Sequence, residues 1–331
     1  MRYRSILAAL LLALLAGACG DSSGDEAEGA TTTEDAGEPS RPGELIFASG
    51  FSDETEVAAD LSDLHGVDAD TGFSWDDTPA WIDRSEFYYA VSDPDRVQEF
   101  MNTEIVEAPG PAGDPSRVLH LVNKGDDPDG PSTSRNEFSL FGKDEPDDFE
   151  EGFVRYWTRL EPDLDDAVPA GEDSRLYYLM EVKDHTLGEE GPGEGFSSFR
   201  MNIGLAQNTE SRDMYWVATG EQVQPVRQIE WQNRNASVEV PLGEWFLVEA
   251  YYKRHPTDGR VFFAVNGEVV FDITARTQHR DDPQPLNFWS VFKLYHDPSW
   301  WGAGPTEQWY DDLEIWTSFP PDYAVPESVQ P

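Results

Sequence analysis

Cysteine is almost absent. Cys19 stands alone, so no disulfide can form within the chain. Lysine is scarce as well: five residues among 23 bases that face 65 acids, a formal net charge of −42. A surface so acidic repels polyanions, which excludes nucleic acid as an expected partner. The N-terminal apolar run, Ile6–Leu15, is too short to span a bilayer, which takes ~20 residues as a helix. No Cys/His set has zinc spacing, and between residues 44 and 318 neither a G-x-S-x-G nucleophile elbow nor a phosphate-binding P-loop occurs. No fixed-period repeat is visible.

What stands at the N-terminus explains the lone cysteine. Arg2 and Arg4 precede the apolar run, and Leu15-Ala-Gly-Ala-Cys19 resembles the lipobox of bacterial lipoproteins. The resemblance implies cleavage before Cys19 and acylation of that residue, with several acyl chains giving a stable membrane anchor. It places the chain in a bacterial cell envelope, lipid-anchored and extracytoplasmic, with ordinary secretion and a free thiol as the plainer alternative. Residues 1–18 are then a signal peptide. Residues 19–43, from Gly20 on Gly, Ser, Thr, Glu, Asp and Pro with little to bury, form a disordered acidic tether. Residues 44–318 form the folded domain, 319–331 a proline-rich tail, and a monomer is expected.

Between residues 44 and 318 the pattern is β almost throughout. Strands are predicted at Glu86–Val91, Arg117–Val122, Ser134–Leu140, Gly152–Leu160, Arg175–Lys183, Phe196–Ile203 and Met214–Ala218. Others are predicted at Gln228–Gln232, Trp245–Lys253, Arg260–Val265, Glu268–Ile273, Phe288–Tyr295 and Trp309–Trp316. A short helix is predicted at Pro94–Met101, with Asp93 as its N-cap. Asn266-Gly267 between two strands predicts a hairpin with a type I′ turn. So many antiparallel strands without helices to cover them must bury sheet against sheet. The fold class is therefore all-β, a two-sheet antiparallel sandwich or jelly roll in a single domain.

Leu286–Pro298, LNFWSVFKLYHDP, carries the most chemistry. Regular alternation places Trp289, Val291, Lys293 and Tyr295 on one face and Phe288, Ser290, Phe292 and Leu294 on the other. The first set reads as the floor of a polar, aromatic-lined groove; the plainer reading is an exposed face with a snorkelling lysine. By the same alternation Arg135 and Glu137 share a face, as do Glu181, Lys183 and His185.

Gly243-Glu-Trp followed by a strand–Asn-Gly–strand hairpin resembles the concanavalin A-like jelly-roll superfamily. Within it, three segments resemble polysaccharide lyases of the alginate- and heparin-lyase type: Ser134-Arg135-Asn-Glu137-Phe138, Met180-Glu-Val-Lys-Asp-His185 and Phe292-Lys293-Leu-Tyr295. Lys293 and Tyr295 are two apart where that family spaces them by four. The resemblance implies β-elimination on a uronate-containing polysaccharide. A carboxylate neutralised by Arg135 or a lysine makes the neighbouring carbon acidic. His185 and Tyr295 then exchange protons, with Lys293 lowering the tyrosine's proton affinity.

Glu137, Lys183, Trp289, His296, Trp300 and Trp301 are the expected substrate-binding side chains, since flat rings suit pyranose faces. Arg200, Arg227 and Arg234 could add positive charge to the groove. No cofactor is expected for the chemistry. The superfamily implies a structural calcium held by carbonyls of Ser49–Asp53, Asp53 itself, and Asp311 or Asp312. Two other functions fit the composition. One is a non-catalytic carbohydrate-binding lipoprotein of lectin or laminin-G-like type. The other is a jelly-roll glycoside hydrolase using Glu137, Glu181 or Glu230.

Overall fold

Alternating apolar side chains and turn residues fold this chain into two packed antiparallel sheets, a jelly-roll sandwich. The computed structural model describes residues 43–77, 82–89, 91–125, 127–129, 134–142, 150–167, 177–185, 197–208, 210–223, 227–279, 286–296 and 305–324. In chain order the strands are β1 Leu45–Ser49, β2 Glu56–Val57, β3 Leu64–His65, β4 Ile82–Tyr89, β5 Met101–Pro109 and β6 Pro115–Asn123. There follow β7 Ser134–Gly142, β8 Glu151–Leu160, β9 Tyr177–His185, β10 Ser197–Gln207, β11 Met214–Gln222 and β12 Gln228–Asn235. The last five are β13 Trp245–Lys253, β14 Gly259–Val265, β15 Glu268–Ala275, β16 Leu286–His296 and β17 Thr306–Trp316.

One sheet runs β15–β14–β13–β8–β17–β6–β5, with β1 also paired to β17; the other runs β12–β11–β10–β9–β16–β7–β4. Their inner faces meet through aromatic rings. Phe292 of β16 packs 4.4 Å from the ring of Tyr310 on β17 and 5.3 Å from that of Tyr156 on β8. Each such fully buried side chain contributes about 1.5–3 kcal/mol. No helix among the described residues is long and apolar enough to cross a membrane.

Local chemistry explains the connections. Asp93 accepts from Asp95 N and starts a 3-10 turn, Pro94–Arg96, that runs into helix α1, Val97–Phe100. Asn266 and Gly267 take φ of 52° and 76°, the left-handed pair that a type I′ turn requires between β14 and β15. Strand β5 and a second short helix, α2 at Leu164–Ala167, carry no comparable sequence signal. Packing also continues past Ser318: Phe319 and Tyr323 stack on Phe153, Tyr251 and Phe262 outside the first sheet, and Gly43 N donates to the Phe319 carbonyl.

Strand β16 departs from regular alternation. Its pairing with β7 slips between Ser290 and Phe292, a β-bulge that leaves Val291 as the extra residue. Beyond the bulge the faces exchange. Trp289, Val291, Phe292 and Leu294 are all buried in the core, whereas Ser290, Lys293 and Tyr295 share the outer face with Phe288.

Candidate active site

The outer face of the second sheet gathers the charged and phenolic groups. Strand β16 lies between β9 and β7, so Lys293 reaches a carboxylate on either side: its ammonium donates to both Glu137 and Glu181. Ser290 Oγ, on the same face, lies 3.4 Å from Glu137 Oε2. Glu181 also takes Lys183 at 3.0 Å and Arg200 at 3.7 Å. One strand further out, Glu221 on β11 receives Arg200 and, at 2.6 Å, Arg227. Five cations meet three carboxylates here. The difference, five minus three, leaves a net charge of +2 within this ion-paired cluster of a chain that carries −42 overall.

Aromatic rings frame the cations. The Arg135 guanidinium lies 5.3 Å from the ring centre of Tyr88 and 5.1 Å from that of Tyr295. Lys293 Nζ lies 5.4 Å from the Tyr295 ring, which packs at 4.9 Å against Tyr178. Arg135 comes only within 3.7 Å of Glu137, and its Nε has no hydrogen-bond partner among the described residues. That guanidinium keeps donors for a further carboxylate.

Burial and charge oppose each other throughout. Lys293 and Glu137 are each 1% exposed and Glu181 3%. Burial disfavours their ionised forms, but Lys293 and Arg135 overcome it for Glu137 and hold its carboxyl below the usual range. Lys183, Lys293 and Arg200 do the same for Glu181, holding it well below that range. Lys183 answers differently: burial, with Lys293 adding to it against Glu181, brings its amine down to about 8. It is a lysine that gives up its proton around pH 8, well below the usual range for an amine.

The structure brings Arg135, Glu137, Lys183, Lys293 and Tyr295 together, and three of the expected roles change. Trp289 is core, 1% exposed, because the bulge turns it inward. Lys293 and Glu137 are buried and committed to each other, so they clamp the sheet from beneath and are not open to a ligand. Solvent exposure of Lys293 is excluded likewise. His185 ends β9, paired with Ser197, and His296 ends β16, paired with Ser134. The side chains of both, and Trp300, Trp301 and Cys19 entirely, lie outside the described residues. Glu221, Tyr88, Tyr178 and Ser290 are site residues that the sequence reading missed; the two tyrosines stand in runs of aromatic residues that alternation alone cannot orient.

The residues expected around a metal divide. Asp311 is buried and accepts from Ser116 Oγ and Asp312 N, each at 2.9 Å; burial and then Asp312 push its carboxyl up to about 7. Asp312, at φ 50°, points at the N-terminal segment, where a Cβ on Gly50 would sit 3.2 Å from its Oδ1. Burial raises its proton affinity too, aided by Glu314, Asp68 and Asp70. Asp53 is exposed and faces Arg117 at 3.5 Å. Among the described residues no group of three or more His, Cys, Asp or Glu side chains is placed to hold a metal ion. A cation would therefore rest on Asp312 and backbone carbonyls near Gly50, without a cluster of side chains.

No protein-family model matches the chain, and no curated protein matches it. Similar solved structures include a mutant of alginate lyase Aly36B in complex with alginate tetrasaccharide, at 15% identity over 83% of this chain and 96% of that one, TM-score 0.47. Another is an endo-β-1,4-glucuronan lyase from the fungus Trichoderma reesei, at 16% identity over 71% and 90%, TM-score 0.44. A third is a GlcNAcα1-4Gal-releasing endo-β-galactosidase from Clostridium perfringens, at 12% identity over 84% and 65%, TM-score 0.47.

Proposed function

We propose that this chain is a polysaccharide lyase that cleaves a uronate-containing glycan by β-elimination, held outside the cytoplasm by a lipid on Cys19. The observation that carries the reading is the net-positive, tyrosine-framed cluster of a strongly acidic protein, with Arg135 keeping uncommitted donors at its centre. Arg135 meets the uronate carboxylate and disperses charge as the adjacent C–H bond breaks. Lys183, with its amine at about 8, takes that proton. The electron pair forms the C4–C5 double bond, the C4–O glycosidic bond breaks, and Tyr295 gives its proton to the departing oxygen. Solvent exchange returns both groups to their starting states. His185, two residues beyond Lys183 on β9, is the other candidate base.

Among the described residues, the carboxylates named for hydrolysis are all paired with cations. Glu137 and Glu181 are both held ionised by lysine and arginine, and Glu230 is paired with Arg276. A binding-only module remains the competitor, because most of the cluster is self-paired.

The test is product formation. Alginate and glucuronan, the polymers named for two of the similar structures, are the first substrates to try beside neutral glycans. New unsaturated ends should appear by ultraviolet absorbance, at a rate that climbs as pH rises through about 8 in parallel with Lys183 deprotonation. Binding without any unsaturated product would establish the binding module instead.

A further inference from the structure

The outer face of the first sheet, on the opposite side of the sandwich, holds a second ordered set of side chains. Register places Trp245 of β13, Arg159 of β8, Trp309 of β17, His120 of β6 and Glu104 of β5 in one row across five neighbouring strands. Neighbouring strands lie ~4.8 Å apart, so the row spans ~19 Å. The Arg159 guanidinium lies 4.2 Å from the ring centre of Trp309 and 5.5 Å from that of Trp245. His120 stacks on Trp309 at 4.9 Å with an interplanar angle of 4°.

His120 is satisfied, with Nε2 2.9 Å from Glu307 and Nδ1 3.3 Å from Glu104. Arg159 is not. Among the described residues its guanidinium has ring contacts and neither a carboxylate within ion-pair distance nor a hydrogen-bond acceptor. Burial lowers its proton affinity and Glu307 only partly offsets that. Elsewhere on this face the arginine is neutralised: Arg155 is bidentate to Glu314 at 2.7 and 3.1 Å. A half-buried arginine fixed between two indoles, with its planar fork unengaged in a chain of net charge −42, is a preorganised receptor for one carboxylate.

The same face supplies room for what carries that carboxylate. Two residues along the strands from Arg159 and Trp245, Trp157 and Leu247 pair and line a cleft of about 410 Å³ with Thr71, Arg155 and Asp312. A flat ring beside hydroxyl, carboxylate and guanidinium groups suits a pyranose, whose apolar face and hydroxyls need both.

We propose that this face is a second, non-catalytic glycan-binding surface for a carboxylated polysaccharide, with Arg159 taking a uronate carboxylate and Trp157 a neighbouring sugar face. It shares only the ligand class with the lyase reading and rests on different residues. A polymer held there keeps the enzyme on its substrate by raising its effective concentration.

The test is affinity electrophoresis through gels holding polymannuronate, polyglucuronate, a neutral glucan or polyglutamate, at fixed calcium. The starting protein is Arg135→Gln/Tyr295→Phe, which disables the opposite face. It should still be retarded by the polyuronates and by neither control. Adding Arg159→Gln should weaken that retention at least tenfold, as expected when a bidentate charge-assisted contact is lost. Arg159→Lys should not restore it. If Arg159→Gln melts early, Trp157→Leu reads the cleft with the ladder intact and should also weaken retention. Retention unchanged by these substitutions, retention already lost in the starting variant, or equal retention by polyglutamate or neutral glucan would each overturn the proposal. Loss in the starting variant leaves the lyase reading standing, and retention through Arg159 without unsaturated product does the reverse.

Discussion

The Lys293 ammonium donates to the Glu181 carboxylate across the seam between β16 and β9, with both side chains almost fully buried. Glu137 takes the same ammonium from the opposite strand, so one amine compensates two buried anions. Removing one partner of such a network costs far more than the network contributes, because an uncompensated charge stays behind.

Lys293→Met should therefore destabilise the fold by about 3–5 kcal/mol in denaturant titrations. Adding Glu137→Gln to Lys293→Met should recover part of that loss, since one stranded carboxylate disappears. Additive losses in the double-mutant cycle would show that the three groups do not act together.

Tyr295→Phe keeps the ring that packs on Tyr178 and Arg135 and removes only the hydroxyl. Lyase turnover should fall ~10²–10⁴-fold with little change in melting temperature. Arg135→Lys keeps the charge but not the planar fork, so it should also lower turnover. Unchanged rates with Phe at 295 would remove the tyrosine from proton transfer.

Stability should rise on mild acidification. Burial pushes the carboxyls of Asp63 to about 6 and of Glu161 and Asp311 to about 7, all above their unfolded values. The folded state then binds protons more tightly than the unfolded one, so stability grows as pH falls from 8 through these values. Glu137 and Glu181 work the other way. Their contribution is present above the unfolded carboxyl range and lost as pH falls below it. Melting temperature, measured in chelator, should be higher near pH 5.5 than at pH 8 and drop again under stronger acid. Asp311→Asn should flatten the upper part of that curve.

Calcium is proposed to bind between Asp312 and the carbonyls near Gly50. A ligand held only by the folded state at 100 times its dissociation constant adds roughly 2.7 kcal/mol. Melting curves in calcium and in chelator should separate by several degrees, and Asp312→Asn should close the gap. Superimposed wild-type curves would eliminate the site.

Cys19→Ser, expressed in a bacterial host, should move the protein from the membrane to the soluble fraction. Persistence on membranes would rule out Cys19 as the anchor.

Much of this fold was legible because its local signals agree with its tertiary ones. Asp93-Pro94 caps a helix, Asn266-Gly267 turns a hairpin, and the alternating strands bury their apolar sides. The cations of the site were legible too: Arg135, Lys183, Arg200, Arg227 and Lys293 do converge. Their partners were harder to see. Glu221 looks like any of 65 acids until β10 and β11 pair, and only that register sets it opposite Arg200. Trp289 was assigned to the wrong face because the bulge at Val291 has no glycine or proline to announce it. Which residue a strand skips is decided by its two neighbours, and those come from distant parts of the chain.

That skipped residue constrains how the sequence can change. Deleting Val291 would leave Ser290 and Lys293 two apart, restore strict alternation and keep Lys293 opposite Glu137, so the bulge is a place where β16 can shorten without changing which side chains meet. A deletion elsewhere in the strand would act as a frameshift acts on a gene, sending every side chain beyond it to the opposite face. Length variation in this protein should therefore accumulate in its connecting segments and at this bulge, even where individual residues of β16 drift.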